Sequence, residues 1–152
     1  MTDVPNNAVP TAAKQLGAAG LIPFVGLAIA GYFVDPYGKL DVTFALAAYS
    51  AVILSFLGGV QWGFASARVG TPDDMPVSVK RLALSVVPSL IGWGALFLDD
   101  PFRLMSLTIG FLVMIWIDMG AAARGETPAW YLKLRMPLSA IVILCLVIAS
   151  YA

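Results

Sequence analysis

Val42–Ala65 reads VTFALAAYSAVILSFLGGVQWGFA, and no charged side chain interrupts it. At about 1.5 Å of rise per residue, a helix over this run exceeds the roughly 30 Å hydrocarbon thickness of a bilayer. The run is too long and too unalternating for a barrel strand. Hydrocarbon also offers no partner for free backbone N–H and C=O groups, so a chain that crosses here must be helical. Asp41, immediately before it, has the short acceptor side chain favoured at a helix N-cap. The stretch reads as a transmembrane helix.

Four further apolar runs give the same reading. Leu16–Val34 follows a polar tail of residues 1–15 and stops at the turn sequence Asp35-Pro36-Tyr37-Gly38. Leu82–Leu98 is short but long enough to span. A fourth helix opens at Asp99-Asp100-Pro101, an acidic cap with proline at the first helical position, and runs to Ala123. The fifth covers Met136–Tyr151. Pro23, Pro88 and Pro137 sit inside or at the start of three spans, tolerable where neighbouring helices re-satisfy the freed carbonyl. The link between the third and fourth runs is short enough to require an antiparallel hairpin. The expected fold class is all-α: a polytopic membrane protein built as a compact bundle of five transmembrane helices, with helices over 16–34, 42–65, 82–98, 101–123 and 136–151.

Composition agrees. Of 152 residues 60% are hydrophobic and 12% charged, against about 25% charged in soluble domains. Formal net charge is zero, so no global field favours nucleic acid. Histidine is absent and Cys145 is the single cysteine. That excludes bis-histidine haem, histidine-bearing zinc sites, Ser-His or Cys-His nucleophiles and an intrachain disulfide. Cys145 reads as a small apolar residue of the fifth helix. No GxSxG elbow, Walker loop or GxGxxG after a strand is present. The chain is expected not to be an enzyme and to carry no cofactor or metal.

Lysine and arginine set the expected orientation. Lys14, Arg68, Lys80, Arg81, Arg124, Lys133 and Arg135 fall on one side, Lys39 and Arg103 on the other. The N-terminus is then inside and the C-terminus outside, in a bacterial or mitochondrial inner membrane. Lys14, the first apolar run and Ala28-Ile29-Ala30 imitate a signal peptide. The preceding region is long and contains Asp3 and Pro10, and the run continues past Ala30, so an uncleaved helix is expected.

Within the spans, Gln61 and Asp118 are the strong polar outliers. Both fall near the basic end of their helices, at similar depth. A carboxylate at mid-bilayer costs on the order of 2.5–3.5 kcal/mol on insertion scales, less near an interface, and is relieved by facing the bundle interior and meeting a donor. The candidate polar cluster is Gln61, Trp62, Trp116, Asp118, Arg81 and Arg135, with a structural pin between helices favoured over a functional site. Ala47, Ala51, Ser55, Gly59 and Gly63 follow one another at i+4, a small-residue stripe that lets another backbone approach. Trp62, Trp116, Trp130 and Tyr131 at the basic end, and Tyr32, Tyr37, Trp93 and Tyr151 at the other, read as interfacial aromatic belts.

AYSAVILSFLGGVQWGFA and PAWYLKLRMPLSAIVIL resemble a small multi-pass family of unknown function, found in bacteria and mitochondria and typified by transmembrane protein 69. The resemblance runs from about Pro23 to the end. It implies a five-helix inner-membrane protein and supplies no activity, substrate or cofactor. The function expected is that of an accessory, scaffold or assembly protein acting through helix–helix contacts. The alternative is a small-solute or proton-coupled transporter or channel using Asp118, with Tyr49, Ser50, Ser106 and Thr108 as the main polar groups of the other half. Expected partners are the lipid bilayer and, through the stripe, other membrane proteins or a second copy.

Overall fold

The computed structural model describes residues 8–34, 41–67 and 79–151, with the side chains of 79 and 80 outside that description. Lys39, Tyr37, Arg68 and the turn at 35–38 lie outside the described residues, as does the side chain of Lys80. Five helices follow in order: α1 Thr11–Ala30, α2 Val42–Ser66, α3 Val79–Ala95, α4 Phe102–Ala123 and α5 Tyr131–Ala149. The described residues form no strand. α1, α2, α4 and α5 are long and apolar enough to cross a membrane, whereas α3 is a 17-residue helix at the lower limit for spanning. Leu96, Phe97 and Leu98 extend its apolar run as tight turns, each N–H donating to the carbonyl three residues back.

Three helix starts lie ahead of the sequence reading, α3 beginning at Val79, three residues before its apolar run. α1 begins at Thr11 and α5 at Tyr131, each five residues ahead of its apolar run. Hydropathy marks where a helix enters hydrocarbon, not where it begins. Thr11-Ala12-Ala13-Lys14-Gln15 contains mostly good helix formers and continues the helix into the polar zone. The same shift places Lys133 and Arg135 on α5 rather than in the preceding link. A further difference lies at α4. Neither Asp99 nor Asp100 caps it through its side chain, and Pro101 precedes the first helical residue. The Asp100 carboxylate instead accepts from Arg103 Nη1 at 2.9 Å, while Arg103 Nε donates to the Leu98 carbonyl at 2.9 Å. Asp41 does cap α2, accepting from the Phe44 N–H at 2.7 Å.

α2 lies at the centre, packed most extensively on α3 and also on α1 and α4. α5 packs on α1 and α4, and α3 on α4, so α2 and α5 approach each other only slightly. Close backbone contact between α2 and α3 occurs at two points. A Cβ on Gly92 would meet Ala51 Cα at 3.0 Å, and one on Gly58 would meet the Ser85 carbonyl oxygen far inside contact distance. The contacts are seven residues apart on each helix and run in opposite directions, as an antiparallel pair in steady register requires.

This geometry corrects the expected stripe. Ala47 and Ala51 are in the core, but Ser55, Gly59 and Gly63 are exposed, and nothing lies within 4 Å of a Cβ built on either glycine. Each i+4 step advances about 400° around a helix of 3.6 residues per turn, drifting about 40°. Four such steps carry the row from the bundle interior to its exterior. The buried face of α2 alternates its spacing instead, through Ala47, Ala51, Leu54, Gly58 and Ala65.

Leu46, Leu54, Leu107, Phe111, Met114 and Leu146 fill the core with no or almost no exposure. The exterior is apolar too: Leu16, Phe33, Phe56, Ile109, Trp116 and Leu144 are all more than half exposed. An apolar surface over an interior that also buries Asp118 and Arg135 suits hydrocarbon and not water as the surrounding medium.

Candidate functional site

Asp118 projects from α4 into the bundle and has no exposure. Its Oδ1 accepts from Gln61 Nε2 on α2 and from the Tyr131 hydroxyl on α5 at 3.2 Å. Its Oδ2 accepts from Arg135 Nε, also on α5, at 3.1 Å. One carboxylate therefore ties three helices. Tyr131 and Arg135 are four residues apart and share a face of α5, so both reach the same acceptor. Phe64 of α2 packs edge-on against the Tyr131 ring, 5.1 Å between centroids, and covers it.

The Arg135–Asp118 contact is single-pronged. Arginine and carboxylate commonly meet through two parallel hydrogen bonds, but only Nε is engaged here. Arg135 Nη2 is buried without a hydrogen-bond partner, and so is the Ser139 hydroxyl one turn along α5. Buried donors without acceptors are rare, because each forfeits its hydration.

A second polar cluster adjoins the first. α4 ends with Gly125 at φ 68°, a left-handed position that glycine takes without a Cβ penalty. Gly125 N–H donates to the Ala122 carbonyl at 2.9 Å and Glu126 N–H to that of Ala121 at 3.0 Å, the Schellman pattern of helix termination. The turn swings Glu126 back over the bundle. Arg124 grips its carboxylate through Nε at 2.8 Å and Nη2 at 3.1 Å, and Arg81 of α3 pairs with it as well. A small pocket of about 30 Å³ lies among Gln61, Arg81, Ser85, Arg124 and Glu126, room for roughly one or two waters.

Of the six residues expected to cluster, the structure brings Gln61, Asp118 and Arg135 together and places Arg81 in the adjoining cluster. Trp62 and Trp116 point away, 47% and 72% exposed. Adjacent helical residues diverge by about 100° and residues two apart by about 200°, so neither indole shares a face with Gln61 or Asp118. Tyr131 and Glu126 are the members that reading by composition misses. Tyr131 has the profile of an interfacial belt residue, and Glu126 reads as a loop charge. The pattern Ala-Ala-Ala-Arg-Gly-Glu at 121–126, a helix end with glycine, was the available signal for Glu126.

Among the described residues no group of three or more His, Cys, Asp or Glu side chains is placed to hold a metal ion. Beyond Asp118, Met114, Phe111, Leu107 and Leu104 of α4 are at most 1% exposed and fill the interior towards the α3–α4 hairpin. Ser50 and Thr108 donate to carbonyls of their own helices, at 2.7 and 2.8 Å, and Tyr49 donates to the Gly20 carbonyl at 3.1 Å.

Helices, apolar exterior and internal polar pin define a multi-pass membrane protein. The chain belongs to the family described as protein of unknown function (DUF3429), whose model matches residues 9–151. It is similar to transmembrane protein 69 of Xenopus tropicalis, 36% identical over 140 residues that make up 91% of this chain and 53% of that protein. Transmembrane protein 69 of Mus musculus is 30% identical over 135 residues, 84% of this chain and 50% of that protein. The chain thus spans about half the length of these relatives. No solved structure shows a significant match.

Proposed function

We propose that this chain is an accessory or assembly protein of a bacterial or mitochondrial inner membrane, acting through helix–helix contacts, with its N-terminus inside. The carrying observation is the closed state of Asp118. It is fully buried and meets three donors from two other helices, a dry pin rather than a group facing a water-filled path. Of the hydroxyls that a conducting route would need in the other half, those of Tyr49, Ser50 and Thr108 are spent on backbone carbonyls, and the layer from Met114 to Leu104 is apolar. These features favour a scaffold over a channel or proton-coupled transporter, and the reading includes no catalytic step.

The exposed side of α2 at Ser55, Gly59 and Gly63 supports contact with another membrane helix, since small residues let backbones approach closely. The basic residues at the end bearing Lys14, Arg81, Arg124 and Lys133 support the orientation. Blue-native electrophoresis after mild solubilisation tests the reading. The expected result is migration above the monomer or with a co-purifying partner, collapsing towards monomer on Gly59→Leu and Gly63→Leu. A lone monomer under every mild condition would overturn it.

A further inference from the structure

A cavity of about 420 Å³ lies between α1, α2 and α5, where α2 and α5 stand apart and α1 bridges them. Its volume is within the range of small-molecule sites, about 300–1,000 Å³. Leu16 and Phe56, 75% and 64% exposed, line it and open it towards the apolar exterior. Its walls are otherwise almost wholly apolar, with Tyr131 and Arg135 as the polar exceptions. The Tyr131 hydroxyl is committed to Asp118, whereas Arg135 Nη2 is buried and has no partner.

We propose that this cavity holds one acyl chain of a glycerophospholipid from the leaflet at the α4–α5 link, and that the Arg135 guanidinium, which lines the cavity and is held only through Nε, turns its buried, unpartnered Nη2 outward to donate to the ester carbonyl. Three features fit this occupant. Along α5 the cavity continues from Arg135 to Val142, about 10 Å of helix, roughly two-thirds of one leaflet of a ~30 Å hydrocarbon core. Arg135 lies one turn, about 6 Å, from the start of α5, the depth at which glycerol esters leave the headgroup zone. The charge of Arg135 is already offset by Asp118. A neutral carbonyl therefore satisfies the free donor, while a full anion would meet the Asp118 carboxylate. The site does not depend on the scaffold reading, because a protein of any activity could carry it.

The full chain in vesicles of phosphatidylethanolamine and phosphatidylglycerol, with a trace of phosphatidylethanolamine bearing a diazirine in one acyl chain, provides the test. Photolabelled peptides should concentrate on the cavity faces of α1 and α5. A Cβ at Gly20 meets nothing closer than Tyr49 Oη at 4.0 Å, so Gly20→Leu should fold, plug the cavity and reduce that labelling several-fold. Diester phosphatidylethanolamine should compete about tenfold better than its diether analogue, which lacks the carbonyl, as expected for losing one hydrogen bond to a charged donor. Arg135→Gln should weaken that preference. Labelling spread evenly over lipid-facing positions such as Met105 and Trp116 would overturn the proposal, as would labelling unchanged by Gly20→Leu. Equal competition by the diether, or displacement by an isoprenoid quinone and not by the diester, would also overturn it.

Discussion

Arg135 offers its carboxylate partner one prong, Nε at 3.1 Å, and is only 7% exposed. Removing one member of a buried ion pair leaves an uncompensated charge, at a cost of roughly 3–5 kcal/mol. Arg135→Met should therefore destabilise the bundle by about 3 kcal/mol, and Asp118→Leu by a similar amount. The double variant should recover most of the loss, since replacing both partners with apolar groups is often neutral. Reversible unfolding in detergent micelles measures the cycle, and additive losses would refute the pairing. Gln61→Leu removes a single interhelical hydrogen bond and should cost nearer 0.6 kcal/mol, the average for such bonds between membrane helices. Gln61 and Asp118 were legible in the sequence because a polar group in an apolar run is costly and needs a partner, and Arg135 was a candidate partner as a basic residue at the same end. Tyr131 was not, since one tyrosine at a membrane edge is equally suited to a belt or to a buried hydrogen bond. The side chain's direction, which follows from α5 starting at Tyr131, separates the two.

At the scale of elements, Gly58 and Gly59 are neighbours with opposite surroundings. A Cβ at Gly58 would collide with the Ser85 backbone of α3, whereas one at Gly59 enters open space. Gly58→Ala should force α2 and α3 apart and cost about 1–3 kcal/mol. Gly59→Ala should be neutral or stabilising by up to about 1 kcal/mol through helix propensity. Thermal unfolding in one detergent compares them directly, and equal effects would mean that α3 does not pack at Gly58. Small residues in α2 announced close packing, but the row at i+4 drifts off the buried face, so their identity was legible and their direction was not. Helix starts were misread at α1, α3 and α5 for a related reason, because apolar runs report the hydrocarbon boundary and these helices begin before it. The α3–α4 link adds a pH dependence. Partial burial raises the Asp100 carboxyl above its ordinary value; Arg103 opposes the shift, while Asp41 and Asp99 add to it. The folded state then holds that proton more tightly than the unfolded chain. Its stabilising contribution is full below pH 3.8, the ordinary value, and is lost as pH rises through the higher folded value. Asp100→Asn should flatten the unfolding midpoint over that window, and an unchanged pH profile would exclude Asp100 as its source.

For the whole molecule, the five-helix count follows from composition, whereas orientation depends on which end carries the basic residues. Lys14 on α1, Arg81 on α3, Arg124 after α4 and Lys133 on α5 gather at one end of the bundle, and Arg103 lies at the other. Positive residues are retained on the inner face during insertion, so the proposed orientation has the α4–α5 link inside. α5 has 19 residues and reaches about 28 Å, so Pro128 and Tyr151 at its two ends should face opposite compartments. Both are exposed. The single native thiol, Cys145, is 6% exposed and faces the interior, which gives a quiet background for reporters. Tyr151→Cys should react with a membrane-impermeant maleimide in intact cells. Pro128→Cys should react only after the membrane is permeabilised. The reverse pattern would invert the orientation, and reaction of both from one side would mean that α5 does not cross.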